Sequence, residues 1–154
     1  MALNVTARWR ILWRWLLVGG VAAACFPIYR VALSEWTVTV VDEAGRGVSG
    51  IAVDQSWDDF TFDEFGDRSA RTDSSGRVVF PGWPRWRPLG YLAARRLKVL
   101  LNLDASVGRV GRVWVPHDPR VEALEPGKGT SAYCEDLTCI LTPQSSTLTV
   151  RLLR

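Results

Sequence analysis

An apolar run near the start of the chain restricts its fold more than any other feature. Residues 11–29 read ILWRWLLVGGVAAACFPIY and carry one charge, Arg14. A helix that crosses a bilayer needs about 20 mostly apolar residues, and an arginine near the end of such a run can extend its guanidinium to the headgroups. Trp9, Trp13 and Trp15 stand at one end and Tyr29 and Trp36 at the other, the arrangement of interfacial aromatic belts. Arg8, Arg10 and Arg14 precede the bulk of the run, against Arg30 and Glu35 after it, so the positive-inside rule puts the N-terminus in the cytoplasm. The expected organisation is a cytoplasmic tail over 1–10, a transmembrane helix or signal anchor over 11–30 and an extracytoplasmic domain over 36–154. Its place would be the periplasmic side of a bacterial inner membrane. Two other export readings stay open. Ala22-Ala23-Ala24 fits a signal-peptide cleavage site. Cys25 could be the lipidated residue of a lipoprotein signal, although Ala22 stands where that signal usually has Leu, Val or Ile.

The charge balance follows the same division. The chain has 154 residues and a net charge of +3, with 19 basic and 16 acidic residues. Four of the basic residues and none of the acids lie in residues 1–30. The remainder is close to neutral, which argues against a nucleic-acid partner. Hydrophobic residues make up 47% and charged residues 23%, a globular composition for a single domain.

Beyond the run, the pattern is mainly β. Trp36–Val41 alternates and is rich in β-branched residues. A turn over Asp42–Gly47 leads to a second expected strand over Val48–Val53, with Gly50 as a bulge. Asp73 and Gly76 mark a tight turn before a strand over Val78–Phe80. Leu89, Leu92, Ala93, Leu97, Leu100 and Leu101 recur at helical spacing, predicting a helix over Pro88–Asn102. Strands are expected again over Val110–Val115, within Tyr133–Leu141 and over Ser146–Leu153. Short strands with frequent turns indicate a sandwich.

The stretches VTVVDEAGRGVSGIAV (Val38–Val53) and RTDSSGRVVFPG (Arg71–Gly82) resemble the carboxypeptidase regulatory-like family, also called transthyretin-like or prealbumin-like. The resemblance covers Trp36–Gly82 and is weak from Trp83 onward. It implies a seven-stranded, mostly antiparallel, Ig-like sandwich, here with one inserted helix. It also implies a structural or binding module with no cofactor and no catalytic set.

Several residue groups are candidates for sites. Asp58, Asp59, Asp63 and Glu64 lie in an acidic stretch over 54–67, and hard oxygen ligands of this kind bind calcium. A solvated charged face is the plainer reading. Trp57, Phe60, Phe62 and Phe65 interleave with these acids, either as a core-facing strand or as a patch for sugar or peptide. Trp83, Arg85, Trp86, Arg87, Arg95, Arg96 and Lys98 combine aromatic and basic groups without an acid, as membrane-surface or partner contacts do. The plainer alternative is a helix that covers the sandwich with its apolar stripe. Cys134 and Cys139 could close a disulfide outside the cytoplasm. His117 beside Asp118 is the sole suggestion of a hydrolase, and no nucleophile elbow or zinc motif accompanies it. The expectation is therefore a membrane-anchored module that is not an enzyme. Its partners would be membrane lipid and an envelope protein. The alternative is a calcium- or carbohydrate-binding domain using residues 54–67.

Overall fold

The computed structural model describes residues 5–101, 108–122, 130–135 and 142–153. Helix α1 spans Val5–Cys25 and α2 spans Leu89–Leu100. The strands are β1 (Pro27–Leu33), β2 (Trp36–Val41), β3 (Ala52–Asp59), β4 (Glu64–Arg71), β5 (Arg77–Phe80) and β6 (Trp83–Pro88). They continue with β7 (Arg109–Trp114), β8 (Val121–Glu122), β9 (Ser131–Glu135), β10 (Gln144–Thr149) and β11 (Arg151–Leu152).

Two sheets form a β-sandwich. One has the order β10-β2-β5 and the other β4-β3-β7-β9. Every pairing in them is antiparallel except β10 with β2. The alternation read in WTVTVV appears directly: Trp36, Val38 and Val40 are buried, while Thr37, Thr39 and Val41 are partly exposed. Those three pack with Val53, Val78, Phe80, Val113 and Leu148 in one core between the sheets. Thr72 joins the two halves of this layer. Its hydroxyl accepts from Ile51 N–H at 3.0 Å and donates to the Val48 carbonyl at 2.7 Å. Gly76 takes φ +78° in the turn before β5, where a Cβ would lie 2.6 Å from the Val40 carbonyl, so this position requires glycine.

The first half of the chain differs from expectation in two places. The expected strand over Val48–Val53 begins instead at Ala52, because Gly50 sits in a turn at φ +72°. The apolar run expected as one helix over 11–30 is divided. Its helix ends at Cys25, and Pro27 opens β1, which pairs antiparallel with β6 in a ribbon outside the two main sheets. A proline has no N–H for the next helical turn and fixes its own φ. Among the described residues, no helix is long and apolar enough to cross a membrane. The uninterrupted apolar part of α1 after Arg14 runs from Trp15 to Cys25, roughly 16 Å at helical rise, against about 30 Å of hydrocarbon.

The ribbon determines where the two helices go. Pro27 pairs with Pro88, so α1 enters and α2 leaves at the same end. Leu89 N–H donates to the Phe26 carbonyl at 2.9 Å. Gly90 faces Ala24, where an added Cβ would come within 3.0 Å of the Ala24 Cβ. The helices therefore meet through two small residues. No residue of α2 is buried, so its apolar stripe does not cover the sandwich. Ribbon residues Ala32 and Leu33 instead form a second small core with Trp57 on β3, and Trp83 packs against it.

Candidate functional site

Chemistry-bearing side chains concentrate at the end of the four-stranded sheet where α2 lies. The last residue of β3, Asp59, is fully buried. Its Oδ2 accepts from Arg30 Nη2 and from Arg109 Nε, both at 2.5 Å. Its Oδ1 accepts from the Phe62 N–H at 3.2 Å, which closes the turn into β4. Glu64, the first residue of β4 and also buried, accepts from Arg87 Nε at 2.7 Å, and its other oxygen faces Arg30 Nη1 at 3.6 Å. A buried carboxylate needs such partners, since removing one would leave an uncompensated charge.

Phe62, 4% exposed, lies among the cations. The guanidinium carbon of Arg30 is 4.1 Å from its ring centre, and those of Arg96 and Arg109 are each 5.6 Å away. Such contacts gain strength away from water. Helix α2 is held over this end by Tyr91, whose hydroxyl donates to the Phe62 carbonyl at 2.5 Å, and by Arg95, whose Nε donates to the Thr61 carbonyl at 3.1 Å. Arg109 is less basic than usual. Burial is the main cause, Asp59 offsets it in part, and repulsion from Arg30 and Arg96 adds to it. Between α2 and the sheet end lies a concavity of about 370 Å³ lined by Arg30, Phe62, Leu89, Leu92, Ala93, Arg96 and Arg109.

The candidate contact segment divides by strand alternation. Trp83, Arg85 and Arg87 lie half-buried on one face of β6, and Pro84, Trp86 and Pro88 are exposed on the other. Trp83 packs on Trp57 with ring centres 5.6 Å apart, while Trp86 stacks edge-on with Tyr29 at 5.1 Å. Arg96 and Lys98 on α2 are exposed, and Arg95 is half-buried.

The acidic stretch is a hairpin. Asp58 and Asp63 remain outside the arginine cluster, Asp59 and Glu64 inside it. The Asp58 carboxyl is held above its usual range, first by burial and then by repulsion from Asp63 and Asp59. Among the described residues, no group of three or more His, Cys, Asp or Glu is placed to hold a metal ion. Of the calcium candidates, Asp59 accepts from two arginines and the Phe62 N–H, and Glu64 accepts from Arg87 through one oxygen with Arg30 near the other. Phe60 and Phe62 belong to the turn between β3 and β4, with Phe60 and Phe65 exposed and Trp57 and Phe62 buried. Asp118 does not orient His117. Its carboxylate accepts from the Nε and Nη2 of Arg120 and from the Arg120 backbone N–H, and the exposed His117 stands apart. Cys134 is disulfide-bonded; Cys139, its expected partner, lies outside the described residues.

Arg30 and Arg109 were not singled out from the sequence, and Asp59 was singled out there as a calcium ligand, not as the partner of arginines. Arg30 reads there as a flank of the apolar run, and the three residues are far apart in the chain. One signal was present: the acids at 59 and 64 flank a turn carrying Phe60 and Phe62, an unusual place for a buried ring unless cations cover it.

No family model and no curated protein matches the chain. Solved structures with a similar arrangement include the C-terminal domain of a shaft pilin from Lactobacillus rhamnosus GG. It is 10% identical with a TM-score of 0.36, over 82% of this chain and 99% of that one. Another is 3-chlorocatechol 1,2-dioxygenase from Rhodococcus opacus, 14% identical with a TM-score of 0.42, over 77% of this chain and 59% of that one. A third is catechol 1,2-dioxygenase from an Acinetobacter species, 12% identical with a TM-score of 0.39, over 80% and 54%. The chain thus spans little more than half the length of these dioxygenases. Their recurrence corrects the expectation that the chain is not an enzyme. At these identities the likeness concerns the fold and assigns no reaction, substrate or metal to this chain.

Proposed function

We propose that this chain is a membrane-attached β-sandwich module that presents its sandwich to partners in the cell envelope. One observation carries the reading. Helices α1 and α2 leave the same end of the β1–β6 ribbon with their apolar side chains exposed. Every α1 side chain from Trp9 to Cys25 is exposed, and α2 adds Leu97, Leu100 and Leu101. A soluble surface rarely carries a continuous apolar patch larger than a few hundred Å². Exposed Arg96 and Lys98 beside the α2 leucines suit the headgroup zone, and Tyr29 and Trp86 form an aromatic pair at the same end.

The extracytoplasmic side is part of the proposal. A disulfide-bonded Cys134 supports it, because disulfides persist in oxidising compartments.

Flotation of the full-length chain on phosphatidylcholine vesicles tests the attachment. The chain is expected to float, and replacing Leu16, Leu17 and Val21 by Ser is expected to abolish flotation. Leu97→Ser with Leu100→Ser should reduce it severalfold. A chain that stays in solution as a stable dimer by light scattering would overturn the reading and assign the apolar helices to a second copy.

A further inference from the structure

The concavity between α2 and the sheet end combines two chemistries. Phe62, Leu89, Leu92 and Ala93 make an apolar wall, and Arg30, Arg96 and Arg109 supply the charge. Its described lining contains no carboxylate. Asp59 lies behind it and is shared by Arg30 and Arg109, and Glu64 sits between Arg30 and Arg87, so two buried anions face three guanidiniums and Arg96 adds a fourth. The basicity of Arg109 is lowered chiefly by burial and further by repulsion from Arg30 and Arg96, and a bound anion would relieve that repulsion.

A planar guanidinium offers paired N–H donors that match phosphate oxygens, and apolar walls that limit water strengthen such contacts. The apolar wall is made by the first turns of α2, the helix whose remaining leucines are exposed. A ligand that fits both parts has an anionic head and an apolar tail.

We propose that this concavity seats the phosphate of an anionic lipid headgroup, with Arg96 and Arg109 donating to its oxygens and Leu89 and Leu92 contacting the start of an acyl chain. This rests on the membrane reading and adds a lipid selectivity to it.

The test titrates the full-length chain, held in neutral detergent, with short-chain phosphatidylglycerol, short-chain phosphatidylcholine and inorganic phosphate, using calorimetry. Saturable binding of phosphatidylglycerol is expected, with the other two at least tenfold weaker. Arg96→Gln should weaken phosphatidylglycerol binding about tenfold, the scale of one charge-assisted hydrogen bond. Arg77→Gln, an equal charge change at an exposed position of β5, should leave it unaltered. Equal binding of phosphatidylcholine, whose ammonium offsets the same phosphate, would overturn the selectivity for an anionic headgroup. Equal binding of inorganic phosphate would overturn the lipid assignment in favour of a free phosphate. An unaltered Arg96→Gln, or an equal loss in Arg77→Gln, would overturn the site. Flotation of the wild-type chain on phosphatidylcholine vesicles is read separately: a chain that floats but does not prefer phosphatidylglycerol fails the headgroup site alone, and a chain that does not float fails the attachment itself.

Discussion

The two ends of this molecule are held together by different physics. Between the sheets, Trp36, Val38, Val40, Val53, Phe80, Val113 and Leu148 exclude water almost completely, and burial of apolar area is the driving force. At the α2 end the interior is Asp59 and Glu64 against Arg30, Arg87 and Arg109 around one phenyl ring. Apolar packing is non-directional and tolerates many residue choices. A buried ion cluster demands every partner, because each missing one leaves a desolvated charge. The sandwich is therefore built for stability, and the α2 end for a particular arrangement of charge beside exposed apolar helices.

Three substitutions or conditions break or sharpen that contrast, in falling order of effect. Phe80→Ala removes a ring that is 1% exposed and is expected to cost about 4 kcal/mol. Urea unfolding should show one cooperative transition at a much lower midpoint. Asp59→Asn leaves Arg30 and Arg109 facing a neutral amide and should cost about 3 kcal/mol. Hydrogen exchange should then rise around the 59–64 turn and in α2 more than in β2 and β5. Equal loosening of β2 and β5 would show that the two ends are one cooperative unit.

The smallest effect is a pH dependence on the sandwich side. Asp118 is held down to about 2 from an ordinary 3.8, chiefly by the side-chain hydrogen bonds of Arg120. Its contribution to stability is complete above the ordinary value and is lost as pH falls toward 2. The melting temperature should therefore fall as pH drops through that window, and Asp118→Asn should flatten this part of the curve. An unaltered slope in the variant would remove Asp118 from the account.

Much of the sandwich can be read locally. Trp36–Val41 is a strand in the sequence and in the fold, because period-two alternation matches the pleat. The turn with Asp73 and Gly76 has the chemistry the backbone needs there, and the helix expected over Pro88–Asn102 appears as α2 over Leu89–Leu100. Other elements were not legible. No strand was expected over Trp83–Pro88, yet that segment is β6. It belongs to a two-stranded ribbon outside the main sheets, where missing N–H donors are tolerated. Its partner β1 begins within the last residues of the apolar run. That single pairing turned Trp83, Arg85 and Arg87 to one side and Trp86 to the other.

The amino-acid order thus settled what depends on neighbours in the chain: alternation, turn chemistry, helical spacing and the segregation of charge from the N-terminal apolar run. Long-range pairing settled the rest. Arg30, Asp59, Glu64, Arg87 and Arg109 come from five different strands; the hairpin brings Asp59 and Glu64 together, but nothing local specifies that the three arginines meet them. The register of β1 on β6 and of β3 on β7 does so, because a strand's register fixes which side chains share a face and which ends of a sheet coincide.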